Sequence, residues 1–127
     1  MKFMEYPIEK AFQAIESQGV EKTIAMIKLA LKEMPRLEAA FMNPETQKEA
    51  KNEIRLLMKA IGTEMDDLIE NGMPAKELQT AIYNPKNYTP EEWASLNRFF
   101  QLLRQLSPLI FKDDPKVKKL KWVYPKA

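Results

Sequence analysis

Cysteine and histidine are both absent from the 127 residues. Their absence excludes disulfides, thiol nucleophiles, thiolate or imidazole metal ligands and histidine acid–base catalysis within this chain. It also removes the side chain that ordinarily changes charge near neutral pH. Glycine is confined to positions 19, 62 and 72, so there is no glycine-rich loop to cradle a phosphate. Serine occurs only at Ser17, Ser95 and Ser107, none of them in the setting of an activated nucleophile. No apolar run approaches the roughly 20 residues that cross a bilayer. In the opening MKFMEYPIEK, Glu5, Pro7 and Glu9 interrupt the place where the apolar core of a secretory signal would lie. The expectation is therefore a cytoplasmic protein without a membrane span, with export by a route that needs no cleaved signal as the exception the sequence leaves open.

Strand signals are also missing. Valine is scarce, apolar and polar residues do not alternate, and the one Asn-Gly pair, Asn71-Gly72, sits between helical patterns. Helical periodicity is abundant by contrast. An apolar fraction of 45% and a charged fraction of 30% suit a single globular domain.

The chain predicts an all-α bundle with mostly antiparallel neighbours, built on four main helices at about 7–18, 20–34, 44–71 and 90–106. Ile8, Ala11, Phe12 and Ile15 share a face of the first, which Pro7 opens and Gly19 ends. Val20, Ile24, Ile27, Leu31 and Met34 stripe the second. Pro35 ends or kinks it, so 35–42 is a short helix of its own or the kinked end of the second. Asn43 and Pro44 are start signals for the third, striped by Ile54, Met58, Ile61, Met65 and Leu68 and closed by Asn71-Gly72. Gly62, in its middle, marks a kink or a close approach. A short helix follows at 74–83. Thr89-Pro90-Glu91-Glu92 then reads as a capping box for the fourth main helix, which Ser107-Pro108 stops. Residues 1–111 form the bundle. Residues 112–127 carry six lysines against Asp113 and Asp114, a net +4, so the preceding 111 residues hold −2 of the chain's overall +2. This basic tail is free or packed back on the bundle.

Four features carry chemistry. Glu64, Asp67 and Glu70 recur every third residue on one helix face, where carboxylates can hold Mg²⁺ and a phosphate. Glu64-Met65-Asp66-Asp67 resembles half of the paired ExxE and ExxD motif of helical nucleotide pyrophosphatases. The ExxE half is absent, so a Mg-dependent nucleotide hydrolase is the remotest reading and a solvated face the plain one. Asp66, Asp67 and Glu70 also lie at the end of a helix where its dipole disfavours anions, which predicts a basic cover from the tail or the last main helix. In the tail, Lys116, Lys118, Lys119 and Lys121 interleave with Trp122 and Tyr124. Phosphates and stacked bases fit that pattern, as does a segment pinned to the bundle with its lysines in water. The apolar faces are wider than a small bundle needs, which nominates Met34, Phe41, Trp93, Phe99 and Phe100 as a surface for a partner helix, for a second copy, or simply as core. The loop Tyr83–Tyr88 is either a recognition edge or a turn.

By elimination, the sequence points to a non-catalytic interaction protein without a cofactor, an adaptor, regulator or chaperone-like bundle that binds a protein partner. A nucleic-acid-associated regulator using the tail is the alternative.

Overall fold

The computed structural model describes residues 8–125, with the side chain of Glu9 outside that description. The expected helix start at Pro7 lies outside the described residues. Six α-helices run in the order α1 (Ile8–Gln13), α2 (Gly19–Met42), α3 (Gln47–Glu70), α4 (Ala75–Ile82), α5 (Pro90–Asp113) and α6 (Pro115–Lys118), with no strand among the described residues. The all-α bundle is as the periodicity implied. No helix of the described chain is long and apolar enough to cross a membrane.

Two boundaries expected at proline are not there. Pro35 lies inside α2, so 19–42 is one helix and 35–42 is not separate. Leu31, Met34, Leu37 and Ala40 are all buried, and this continuous apolar face offsets the roughly 3 kcal/mol that an internal proline costs. Pro108 likewise lies inside α5, which runs on to Asp113. Proline has no N–H for the Arg104 carbonyl four residues back. The Ser107 hydroxyl donates to that carbonyl instead, at 3.0 Å. Beyond it, Ile110 is fully buried.

The first helix is shorter than expected. It ends at Gln13, and residues 15–18 lead without helix to Gln18, which is extended before α2. The start of α3 also moves. Asn43 does not cap it: its side chain accepts from the Glu45 N–H within the turn, while the Thr46 hydroxyl donates back to Ala40 O at 2.7 Å. The helix begins after Thr46, four residues past the start signal at Asn43.

Other signals hold in detail. Gly72 takes φ +107, with its N–H on Ile69 O and the next N–H, of Met73, on Leu68 O. That is the left-handed helix stop glycine favours. Thr89 Oγ1 accepts from Glu92 N–H at 3.1 Å, and Glu92 Oε1 from Thr89 N–H at 2.8 Å, closing the capping box.

Ion pairs fix the directions of the main helices. Arg36 meets Glu53 and Lys22 meets Glu64, so α2 and α3 are antiparallel. Lys51 at the start of α3 meets Asp113 at the end of α5, so those two are antiparallel as well. Lys28 meets Glu92 and Arg98 meets Glu38, so α2 and α5 run in the same sense. The core between them is rich in methionine, phenylalanine and branched aliphatics, with Met58, Ile61 and Met65 wholly buried. Gly62 is also buried, in an unbroken stretch of α3.

Candidate functional site: the strap and the groove at its end

One face of α3 receives the C-terminal residues. Lys51, Arg55, Gly62, Asp66 and Glu70 lie on it near the 3.6-residue helical period, basic at one end and acidic at the other. That order opposes the helix dipole at both ends, so each end needs partners. The residues after α5, with Asp113 at its end, supply them. Lys51 Nζ lies 2.5 Å from Asp113 and Arg55 Nη1 2.8 Å from Asp114. Further along, the Lys121 N–H donates to Asp66 Oδ1 at 3.2 Å, and Lys121 Nζ lies 2.5 Å from Glu70. The tail is therefore a strap laid along α3, with Val117 and Val123 in the core.

Gly62 is the socket of the strap. A Cβ built on it would stand 2.5 Å from Trp122 Nε1 and 3.0 Å from a Leu120 methyl. No real contact is that short, so only glycine admits the indole. Trp122 stacks on Tyr124 at 5.9 Å between centroids, Tyr124 meets the edge of Phe100, and the Arg104 guanidinium lies 4.6 Å from the Tyr124 ring centre. The Tyr83 hydroxyl donates to Val123 O at 2.5 Å. Burial first of all pushes the Tyr83, Tyr88 and Tyr124 phenols up from their ordinary value, so they remain neutral hydrogen-bonding groups in the physiological range.

The residues singled out from sequence separate into two groups. Phe99, Phe100 and Met34 are core side chains and cannot serve as a surface; the strap and Tyr83 complete the packing over Phe100. Trp93 and Phe41 are half-buried at the edge of the core. Lys116, Lys118 and Lys119 stand exposed with no carboxylate partner among the described residues, whereas Trp122 is engaged in packing and not open to a base. Of the acidic trio, Glu64 pairs with Lys22 at 3.0 Å, Glu70 with Lys121, and Asp67 is exposed. No group of three or more carboxylates that could hold a metal ion occurs among the described residues. The basic cover anticipated for the acidic helix end is Lys121.

The strap ends beside an open groove of about 380 Å³ between α4, the 3-10 turn at Pro85–Asn87 and the first half of α5. The rings of Tyr83 and Trp93, the amides of Gln79, Asn84 and Asn97, and Pro125 line it, with no charged side chain. The loop explains the shape. Asn84 caps the turn by accepting from Lys86 N–H, Asn87 Nδ2 donates to Ala81 O, and the Tyr88 hydroxyl donates to Ile82 O. Sequence reasoning missed Gln79 and Asn97 as wall residues, since isolated amides on helix surfaces carry no signal until the facing element is known.

The charges on the strap set its pH range. Its hydrogen bond and charge from Lys121 hold the Glu70 carboxyl below its ordinary 4.5, and Lys51 holds Asp113 below its ordinary 3.8. Glu70 in turn raises Lys121 above 10.5. Carboxylates with lowered values favour closure above their unfolded pKa and lose that contribution as pH falls through the folded one. The raised lysine favours closure below its unfolded value and loses it as pH rises through the folded one. The strap is thus held best between about pH 4.5 and 10.5. In a Trp93→Phe background, Trp122 emission is expected to shift to the red as pH falls from 5 to about 3 while helical ellipticity persists. An unchanged emission would show that these ion pairs do not hold the strap.

The chain matches no family model, no curated protein and no solved structure.

Proposed function

We propose that this protein is a non-catalytic interaction module that binds an extended, uncharged segment of a protein partner in the groove between α4, α5 and the strap. One observation carries the reading. In a chain with 30% charged residues, this groove presents only rings, amides, a hydroxyl and prolines. Amide side chains match the main-chain donors and acceptors of a peptide, and flat rings match apolar or proline side chains. Asn97 is exposed, and its side-chain amide has no hydrogen-bond partner among the described residues. An adaptor or regulator role follows from binding without chemistry.

A display library of random peptides, selected on the full chain, tests this. Enriched peptides are expected to lose at least tenfold in affinity on Trp93→Ala or Asn97→Ala, in proteins whose circular dichroism is unchanged. Enrichment that ignores both substitutions, or none at all, would overturn the reading. The exposed Lys116, Lys118 and Lys119 favour a second reading, nucleic-acid binding through the strap. Binding of a single-stranded oligonucleotide that falls steeply with salt would support it in place of the groove.

A further inference from the structure

Residues 121–124 are held as a bound peptide would be. Side chains of the bundle take four of their main-chain groups. The Lys121 N–H goes to Asp66 Oδ1, the Val123 N–H to Met65 Sδ at 3.4 Å, the Val123 carbonyl to the Tyr83 hydroxyl, and the Tyr124 carbonyl to Gln79 Nε2 at 2.8 Å. Between these bonds the side chains fall into separate places: Lys121 on Glu70, Trp122 in the Gly62 socket, Val123 in the core and Tyr124 on Phe100. Main-chain hydrogen bonds with pockets for successive side chains are how extended peptides are recognised. None of these contacts depends on the covalent link to α6.

The occupant is also imperfectly held. Trp122 Nε1 is buried with no hydrogen-bond partner, and a buried donor left unpaired opposes the state that buries it. The Lys121–Glu70 pair is exposed, with each side chain more than half open to water, and one such pair by itself, without the others along the strap, contributes little. The seat is therefore better built than the fit of the residue it receives.

We propose that this seat on α3 and α4 is a docking site for an extended segment of a partner protein carrying a basic–aromatic–aliphatic–aromatic pattern, and that the chain's own residues 121–124 occupy it until displaced. The strap is then a competitor in cis, and its high effective concentration sets the threshold a partner must exceed. The seat shares Gln79 and Tyr83 with the groove beyond Pro125 but is distinguished from it by Gly62, Asp66 and Glu70, which do not line that groove.

The probe is a labelled synthetic peptide of residues 119–125, Lys-Leu-Lys-Trp-Val-Tyr-Pro, titrated by fluorescence anisotropy against full-length variants. Trp122→Ala empties the socket and is expected to bind the peptide at least tenfold tighter than the unsubstituted chain. Lys121→Glu faces Glu70 and Asp66 with a like charge and loosens the strap without touching the core; it is expected to gain several-fold, and it keeps the test alive where Trp122→Ala fails to fold. Adding Gly62→Leu to either variant fills the socket and is expected to abolish the gain. Replacing the peptide's tryptophan by 3-benzothienylalanine keeps its shape without the N–H and is expected to tighten binding further. Equal affinity for the unsubstituted and loosened chains, or a gain that survives Gly62→Leu, would overturn the proposal. So would weaker binding of the benzothienyl peptide, since it would mean that the indole N–H is satisfied in the seat.

Discussion

Phe100→Ala is expected to destabilise the protein by about 3–5 kcal/mol, the cost of emptying a phenylalanine site in a packed core. Phe100 is 1% exposed and sits where α5, the end of α4 and the strap meet. Its ring has Tyr83 at its edge at 5.4 Å between centroids, Phe99 at 5.1 Å and Tyr124 at 5.8 Å, all close to perpendicular. Each such pair contributes about 0.5–1.5 kcal/mol beyond the area it buries. The cavity would open under the strap, since Tyr124 rests on this ring, so strap closure and global stability should fall together. Against a total stability of about 5–15 kcal/mol, the loss is a large share of the whole. Urea unfolding is the measurement, with a midpoint expected to drop by roughly 1.5–2.5 M at a slope of about 2 kcal/mol/M. A loss under about 1 kcal/mol would place Phe100 at a surface after all and restore it as a partner contact.

Phe100 also shows where the sequence was legible and where it was not. Local rules were enough for the capping box at Thr89 and Glu92 and for the left-handed stop at Gly72, because both are closed by residues within four positions. The apolar stripes were readable for the same reason. What a stripe faces is a long-range property. The width of the α5 stripe suggested an uncovered surface around Phe99 and Phe100, whereas Tyr83 and Tyr124 supply the cover. Pro35 and Pro108 were misleading because a proline's local cost is fixed, while the burial that outweighs it depends on neighbours. Gly62 gave half of its meaning. A glycine inside a strong helical pattern signals close approach, but the ring that approaches is 60 positions further along the chain.

The candidate site was partly written in charge. Cations at the start of α3 and anions at its end are opposed to its dipole, and that conflict forecast a basic cover for the acidic end, which Lys121 provides. The matching acidic cover for Lys51 and Arg55 was present in Asp113-Asp114 but read only as part of the tail's net charge. The groove was legible only in Trp93 and the loop from Tyr83, which supply part of its wall. Its amides come from three separate segments, and no periodicity links Gln79, Asn84 and Asn97.

Arg36→Met is expected to cost about 3–5 kcal/mol, because it strands a carboxylate in the interior. Glu53 lies beside Ile54 on the inward face of α3 and is only 4% exposed. Both of its oxygens accept from Arg36, one from Nη1 at 3.2 Å and the other from Nη2, and these are its hydrogen bonds among the described residues. Arg36 has more support: its Nε donates to Glu33 at 2.7 Å, and although burial opposes its charge, the hydrogen bonds it donates to Glu53 and Glu33 keep its pKa raised. The pair is therefore asymmetric. Removing the arginine leaves a buried charge with nothing to meet it. Removing the glutamate leaves an arginine still held by Glu33 and nearly a third open to water. Glu53→Met is accordingly expected to cost about 1 kcal/mol, and the double variant Arg36→Met with Glu53→Met to return within about 1 kcal/mol of the parent, since a buried ion pair is often replaceable by apolar groups of similar volume. Denaturant unfolding of the four proteins gives the coupling directly, expected at about 3–6 kcal/mol from the losses above. Equal losses for the two single variants would mean that water reaches Glu53 once Arg36 is gone. A double variant as unstable as Arg36→Met alone would mean that the pair fixes the register of α2 against α3, a role that apolar side chains cannot take over.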